Sequence, residues 1–147
     1  MPATREIRHV VHFKAKPRDI YAALMNSKKH AAFTGVPAKV DPKVGGRFSA
    51  WGPHLRGINV ELQKNKRIVQ AWRAQNWPQG HYSIASFELR PVKGGTKLVF
   101  TQTGIPAKNA RSINGGWKTH YWDLLKKAHA KQARQLDKRP PCIIARG

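Results

Sequence analysis

Hydrophobic positions between Glu6 and Lys14 alternate loosely, with Ile7, Val11 and Phe13 on one side, and this pattern predicts a first strand. The pattern then changes period. Pro17 suits the first turn of a helix, Ile20 and Leu24 fall four apart, and Asn26-Ser27 can end that helix and cap a second one, which Gly35 stops after Phe33. From Pro37 to Gly104 turn chemistry recurs at strand-length intervals: Asp41-Pro42, Gly45-Gly46, Trp51-Gly52-Pro53, Lys64-Asn65-Lys66, Trp77-Pro78-Gln79-Gly80 and Lys93-Gly94-Gly95-Thr96. Asn65 and the Gly94-Gly95 pair tolerate the left-handed backbone of tight hairpins, so these strands pair antiparallel. Within Ser83–Leu89, Ser83, Ala85, Phe87 and Leu89 share one face, which is expected to be buried.

The last periodic stretch is the clearest. Ile113, Trp117, Tyr121, Leu124, Leu125 and Ala128 repeat at spacings of three and four, the stripe of a long amphipathic helix. Its opposite face carries Lys118, Lys126, Lys127, Lys131 and Arg134. Gly115-Gly116 is costly in a helix, and the expectation drawn from it is that something approaches the backbone closely there. One strand, two short helices, a run of hairpins and a closing helix predict an α+β domain whose curved sheet wraps that helix. Arg139-Pro140-Pro141-Cys142 cannot continue a helix, so residues 1–137 are expected to form one domain and 138–147 a basic, proline-containing tail.

Charge changes this picture more than size does. Lys and Arg number 28 against 7 Asp and Glu in 147 residues, a formal net charge of +21, and they are spread along the whole chain. The folded domain itself therefore carries the field, which draws anionic partners in a salt-dependent way. No apolar run suggests a membrane span and the opening residues lack a secretion signal, so the expected location is cytoplasmic, with no membrane partner. A lone cysteine, Cys142, makes no internal disulfide and no thiolate zinc site.

In their order and spacing, a further set of residues resembles a known family. They are Phe33-Thr34-Gly35, Gly45-Gly46-Arg47-Phe48, Trp51-Gly52 followed by Gly57, Ile68 to Arg73, and Trp77. Ser83, Phe87 and Leu89, the Thr96–Leu98 strand entry, Gly104-Ile105-Pro106, and Gly116-Trp117 with Tyr121 complete the set. Over about residues 8 to 128 the chain resembles the activator of heat-shock protein 90 ATPase homologues, within the helix-grip group that includes START lipid-binding domains and polyketide cyclases. The resemblance implies a helix-grip (START-like) fold: a curved antiparallel sheet around a long C-terminal helix, with two short helices after the first strand. For function it implies a non-enzymatic binding domain, like the C-terminal domain of the chaperone activators. The heat-shock protein 90 chaperone, or another acidic protein, would then meet the basic face formed by Lys118, Lys126, Lys127, Lys131 and Arg134. The alternative is a carrier or sensor of a small apolar ligand, held between sheet and helix by Trp51, Trp72, Phe100, Trp117 and Tyr121.

Catalytic signatures are missing from the sequence. There is no phosphate-binding glycine loop, paired-histidine metal motif or dinucleotide fingerprint, and no catalytic residue, metal site or cofactor is assigned. His9 and His12 point to opposite faces of a strand, whereas His54, His81 and His120 are free to converge. Glu61 and Glu88 are read as neutralising nearby Lys or Arg. A polyketide-cyclase-like enzyme requires acid and base groups in the cavity. Nucleic acid is expected to bind only nonspecifically, since no standard recognition module is present.

Overall fold

The computed structural model describes residues 3–129. Seven strands form one antiparallel sheet in the order β1-β7-β6-β5-β4-β3-β2. They are β1 (Thr4–Phe13), β2 (Lys39–Val40), β3 (Arg47–Ala50), β4 (Leu55–Gln63), β5 (Arg67–Ala74), β6 (Ser83–Val92) and β7 (Gly95–Pro106). Helices α1 (Pro17–Met25) and α2 (Ser27–Thr34) lie between β1 and β2. The closing helical segment starts with a 3-10 turn, Ala107–Asn109, and continues through α3 (Ala110–Trp117), a π turn (Lys118–Trp122) and α-helical residues 123–129. This is the α+β helix-grip architecture expected from the sequence. The proposed tail, Cys142, Lys131 and Arg134 lie outside the described residues.

Local chemistry accounts for the element ends. The Asn26 side chain accepts a hydrogen bond from the Lys29 N–H at 3.0 Å, capping α2, and Gly35 ends that helix at φ 79°. Asn65 turns β4 into β5 at φ 64°, and Gly94 turns β6 into β7 at φ 86°. Register shifts insert one extra residue in β7, opposite Arg5 to Ile7 of β1, and one in β4, between Asn59 and Glu61, and these bulges bend the sheet. Buried Asn59 secures the second bulge: it accepts from Gln70 Nε2 at 3.0 Å and donates through Nδ2 to the Asp41 carbonyl at 2.9 Å.

The concave face of the sheet carries Phe13, Ile68, Trp72, Ala85, Phe87, Leu89, Leu98 and Phe100, and the closing helix fills it with Trp117, Tyr121, Trp122 and Leu125. Trp122 joins the stripe because of the π turn. With five residues in that turn, Trp117 and Trp122 lie one above the other, stacked at 5.4 Å and 21°. Ala128, placed on the stripe by periodicity, is exposed, since the same turn rotates the residues after it. Two hydrogen-bond chains lock the helix to the sheet. Trp117 Nε1 donates to Gln102 Oε1 (2.7 Å), Gln102 Nε2 to Ser83 Oγ (2.8 Å), and Ser83 Oγ to the Trp72 carbonyl (2.9 Å). Trp122 Nε1 donates to His9 Nδ1 at 2.8 Å, which leaves the His9 Nε2 hydrogen to donate to Asn114 Oδ1 at 2.7 Å.

Candidate functional site

The space between sheet and helix is filled with rings along most of its length. Phe100 and Trp117 have centroids 4.4 Å apart, and Phe87 and Phe100 5.0 Å. Beside His30 and Tyr121 the packing leaves a void of only about 20 Å³, room for no more than a single water molecule. Open volume concentrates instead at one rim, in a recess of about 450 Å³. Trp51, His54 and Leu55 from the β3–β4 turn and the start of β4, with Trp72 of β5, make one wall. Ile113, Gly116, Trp117, His120 and Tyr121 of the closing helix make the other.

Of the five residues expected to line a cavity, the recess brings together Trp51, Trp72, Trp117 and Tyr121. Phe100 is fully buried behind Trp117 and does not reach it. Of the three free histidines, His54 and His120 share the recess, while His81 turns away and meets the Gly104 carbonyl at 2.7 Å. Among the described residues no group of three His, Cys, Asp or Glu side chains could hold a metal ion. Glu61 and Glu88 sit outside the recess and hold Arg67, at 3.4 Å and 2.9 Å, and Glu88 also meets Arg90 at 2.7 Å. The Arg90 hydrogen bond, with lesser help from both arginine charges, lowers the Glu88 pKa.

Three features around the recess reduce local stability. Trp51 adopts φ 55°, a left-handed conformation that costs a bulky residue on the order of 1–3 kcal/mol. The conformation sets its ring edge-on to His120, 5.1 Å between centroids. Gly115 and Gly116 each cost a helix about 1 kcal/mol relative to Ala. Nothing lies near them: a side chain at Gly115 would meet no atom within 4 Å, and one at Gly116 only His120 Cδ2 at 3.9 Å. The close approach expected from this pair is therefore overturned, and Gly116 instead leaves the recess open. The π turn is the third feature, since it departs from ideal helix geometry to bring Trp122 inward beside Tyr121.

Behind the Tyr121 wall lies a residue the sequence did not single out. His30 on α2 is buried, and its Nε2 meets the Tyr121 hydroxyl at 3.0 Å while its Nδ1 has no partner. Burial lowers its pKa from 6.5 to about 4 and raises that of Tyr121. The Trp51 indole N–H has a slight opposing effect on Tyr121, yet closes no hydrogen bond of ordinary geometry. A lone histidine after Lys28-Lys29 on a weakly amphipathic helix gives no pattern that would have marked it.

Of the basic face, Lys118, Lys126 and Lys127 are exposed on the closing helix, with Asp123 exposed among them. No helix of the described residues is long and apolar enough to cross a membrane.

Residues 14–130 match the family model described as activator of Hsp90 ATPase homolog 1-like protein. The chain is 32% identical over 129 residues to the activator of 90 kDa heat shock protein ATPase homolog of Dictyostelium discoideum, covering 85% of this chain and 33% of that protein. It is 29% identical over 122 residues to activator of 90 kDa heat shock protein ATPase homolog 1 of Homo sapiens, covering 83% and 36%. The chain thus spans about a third of the length of these relatives. Among solved structures, an HSP90 activator from Plasmodium falciparum superposes with a TM-score of 0.74 at 26% identity, covering 79% of this chain and 89% of that one. The Aha1 dimer from Colwellia psychrerythraea, at 23% identity and a TM-score of 0.72 over 85% and 96%, shares the fold.

Proposed function

The chain belongs to the activator of Hsp90 ATPase homolog 1-like family, and from that membership we propose that it acts by binding, docking on a chaperone of the heat-shock protein 90 class through its basic helix face. The observation that carries this reading is the placement of Lys118, Lys126 and Lys127: they stand in solvent on a helix whose other side is fixed to the sheet by Trp117 and Trp122. A rigid, cationic helix face suits an acidic protein surface. Docking changes the chaperone's ATPase rate only if the domain binds the ATPase-competent arrangement more tightly than the resting one. The test is a pulldown with the chaperone at about 50 mM and about 300 mM salt, joined to an ATPase assay. Capture that weakens with salt and a changed rate support the proposal; absence of both overturns it.

A second reading, a carrier or sensor of a small apolar molecule, is favoured by the rim recess. Its volume of about 450 Å³ falls within the size range of small-molecule sites.

A further inference from the structure

We propose that the recess binds a small amphipathic organic anion, with a flat apolar body against Trp51, Trp72 and Trp117 and its acidic group at the edge formed by His54 and His120. The proposal rests on the second reading above and adds the chemical class. Two independent departures from local stability meet at this one place: the left-handed Trp51 and the unapproached glycines of the helix. Packing alone explains neither, because a smaller residue at 51 and alanines in the helix would satisfy the fold better. What they share is the open volume between them.

The lining decides the class of occupant. Trp51 offers a half-buried indole, Trp72 and Trp117, each 3% exposed, contribute only the margins of their rings, and Ile113 and Leu55 extend the apolar wall. No carboxylate lines the recess. The polar side chains of its lining are Ser112, Thr119, whose hydroxyl donates to the Gly115 carbonyl at 3.1 Å, and the two imidazoles, His54 and His120, while the Tyr121 hydroxyl is engaged with His30 on the far side. Among the described residues neither imidazole is hydrogen-bonded to another group, and a neutral imidazole still carries one N–H donor. Hydrogen bonds to an ionised acceptor are the stronger kind, and the +21 charge of the chain raises the local concentration of anions further. A neutral apolar molecule gains only the rings; an anion of the same shape gains the rings, the donors and the field.

Two fluorescent probes of nearly the same shape separate these cases: anilinonaphthalene sulfonate, which is anionic, and phenylnaphthylamine, its neutral counterpart. The full chain in about 0.15 M salt, where surface charge is screened beyond roughly 8 Å, is titrated with each. The expected result is one site per chain, with the anionic probe bound at least about tenfold tighter, as one good charge-assisted hydrogen bond would give. Gly116→Leu and, separately, Ser112→Trp fill the recess from positions with free space or solvent around them, and each should abolish binding of both probes. His54→Ala combined with His120→Ala should bring the ratio of the two affinities close to one. Equal affinities in the unaltered chain, or a ratio that survives the double histidine variant, overturn the anion while leaving the apolar-ligand reading intact. Absence of binding by either probe, or binding that survives both filling variants with unchanged circular dichroism, overturns both.

Discussion

His30 is held neutral by burial, and that has a consequence for stability that can be read with pH. Its folded pKa, about 4, lies below the unfolded value of 6.5, so between these limits the unfolded chain takes up a proton that the folded chain refuses. The contribution is complete above pH 6.5 and falls away on acidification toward 4, by roughly 3 kcal/mol in all. Denaturant melts of the unaltered chain and of His30→Phe between pH 4 and 7 should diverge over that window; parallel curves would mean that the imidazole is not buried as described. Two tryptophans make an opposite pair. Trp117 is core and hydrogen-bonded to Gln102, so Trp117→Ala should cost roughly 3–5 kcal/mol. Trp51 is only half-buried, and Trp51→Gly would trade ring burial for relief of a left-handed backbone, so its stability loss should stay below about 1 kcal/mol. Chemical denaturation of both variants measures the contrast. Spacing placed Trp117 and Tyr121 on the buried face of a helix and turn chemistry placed Trp51 at a chain reversal, but the sign of φ at Trp51 was beyond any pattern, since a tryptophan does not advertise that conformation.

The closing helix shows how far periodicity reaches along an element. Ile113, Trp117, Tyr121 and Leu125 keep a regular stripe and were legible; Trp122 was not, because it falls inward only when a π turn inserts one extra residue. Nothing in the composition of Lys118–Trp122 announces such a turn, whose cause lies in the tertiary pairing of Trp122 Nε1 with His9, far away in sequence. The glycine pair misled for a related reason: the sequence shows that a side chain is missing but not whether the space is taken by a neighbour or left open. Since it is left open, Gly115→Ala and Gly116→Ala should each stabilise the chain by up to about 1 kcal/mol, raising Tm by roughly 2–4 °C apiece. A fall in Tm on scanning calorimetry would mean that something does approach that turn. The hairpins were legible throughout, because Asn65 and Gly94 stand where reversal of the chain needs positive φ.

At the scale of the molecule, charge and docking are separable effects. A net charge of +21 spread over the whole chain accelerates encounters with any acidic partner but gives the encounter no orientation. Orientation requires a defined patch, and the exposed lysines of the closing helix are the patch proposed above. Lys118→Glu, Lys126→Glu and Lys127→Glu together lower the net charge by six, from +21 to +15. Arg8→Glu, Arg56→Glu and Lys64→Glu lower it equally, and Arg8 and Arg56 lie on the outer face of the sheet, away from the helix. All six positions are exposed, so neither triple variant should unfold the domain. If the helix face docks, the first triple variant should weaken chaperone binding by tenfold or more through faster dissociation, while the second slows association without shortening the lifetime of the complex. Surface plasmon resonance at two salt concentrations reads both rates. Equal behaviour of the two variants would mean that the field attracts the partner and some other surface holds it.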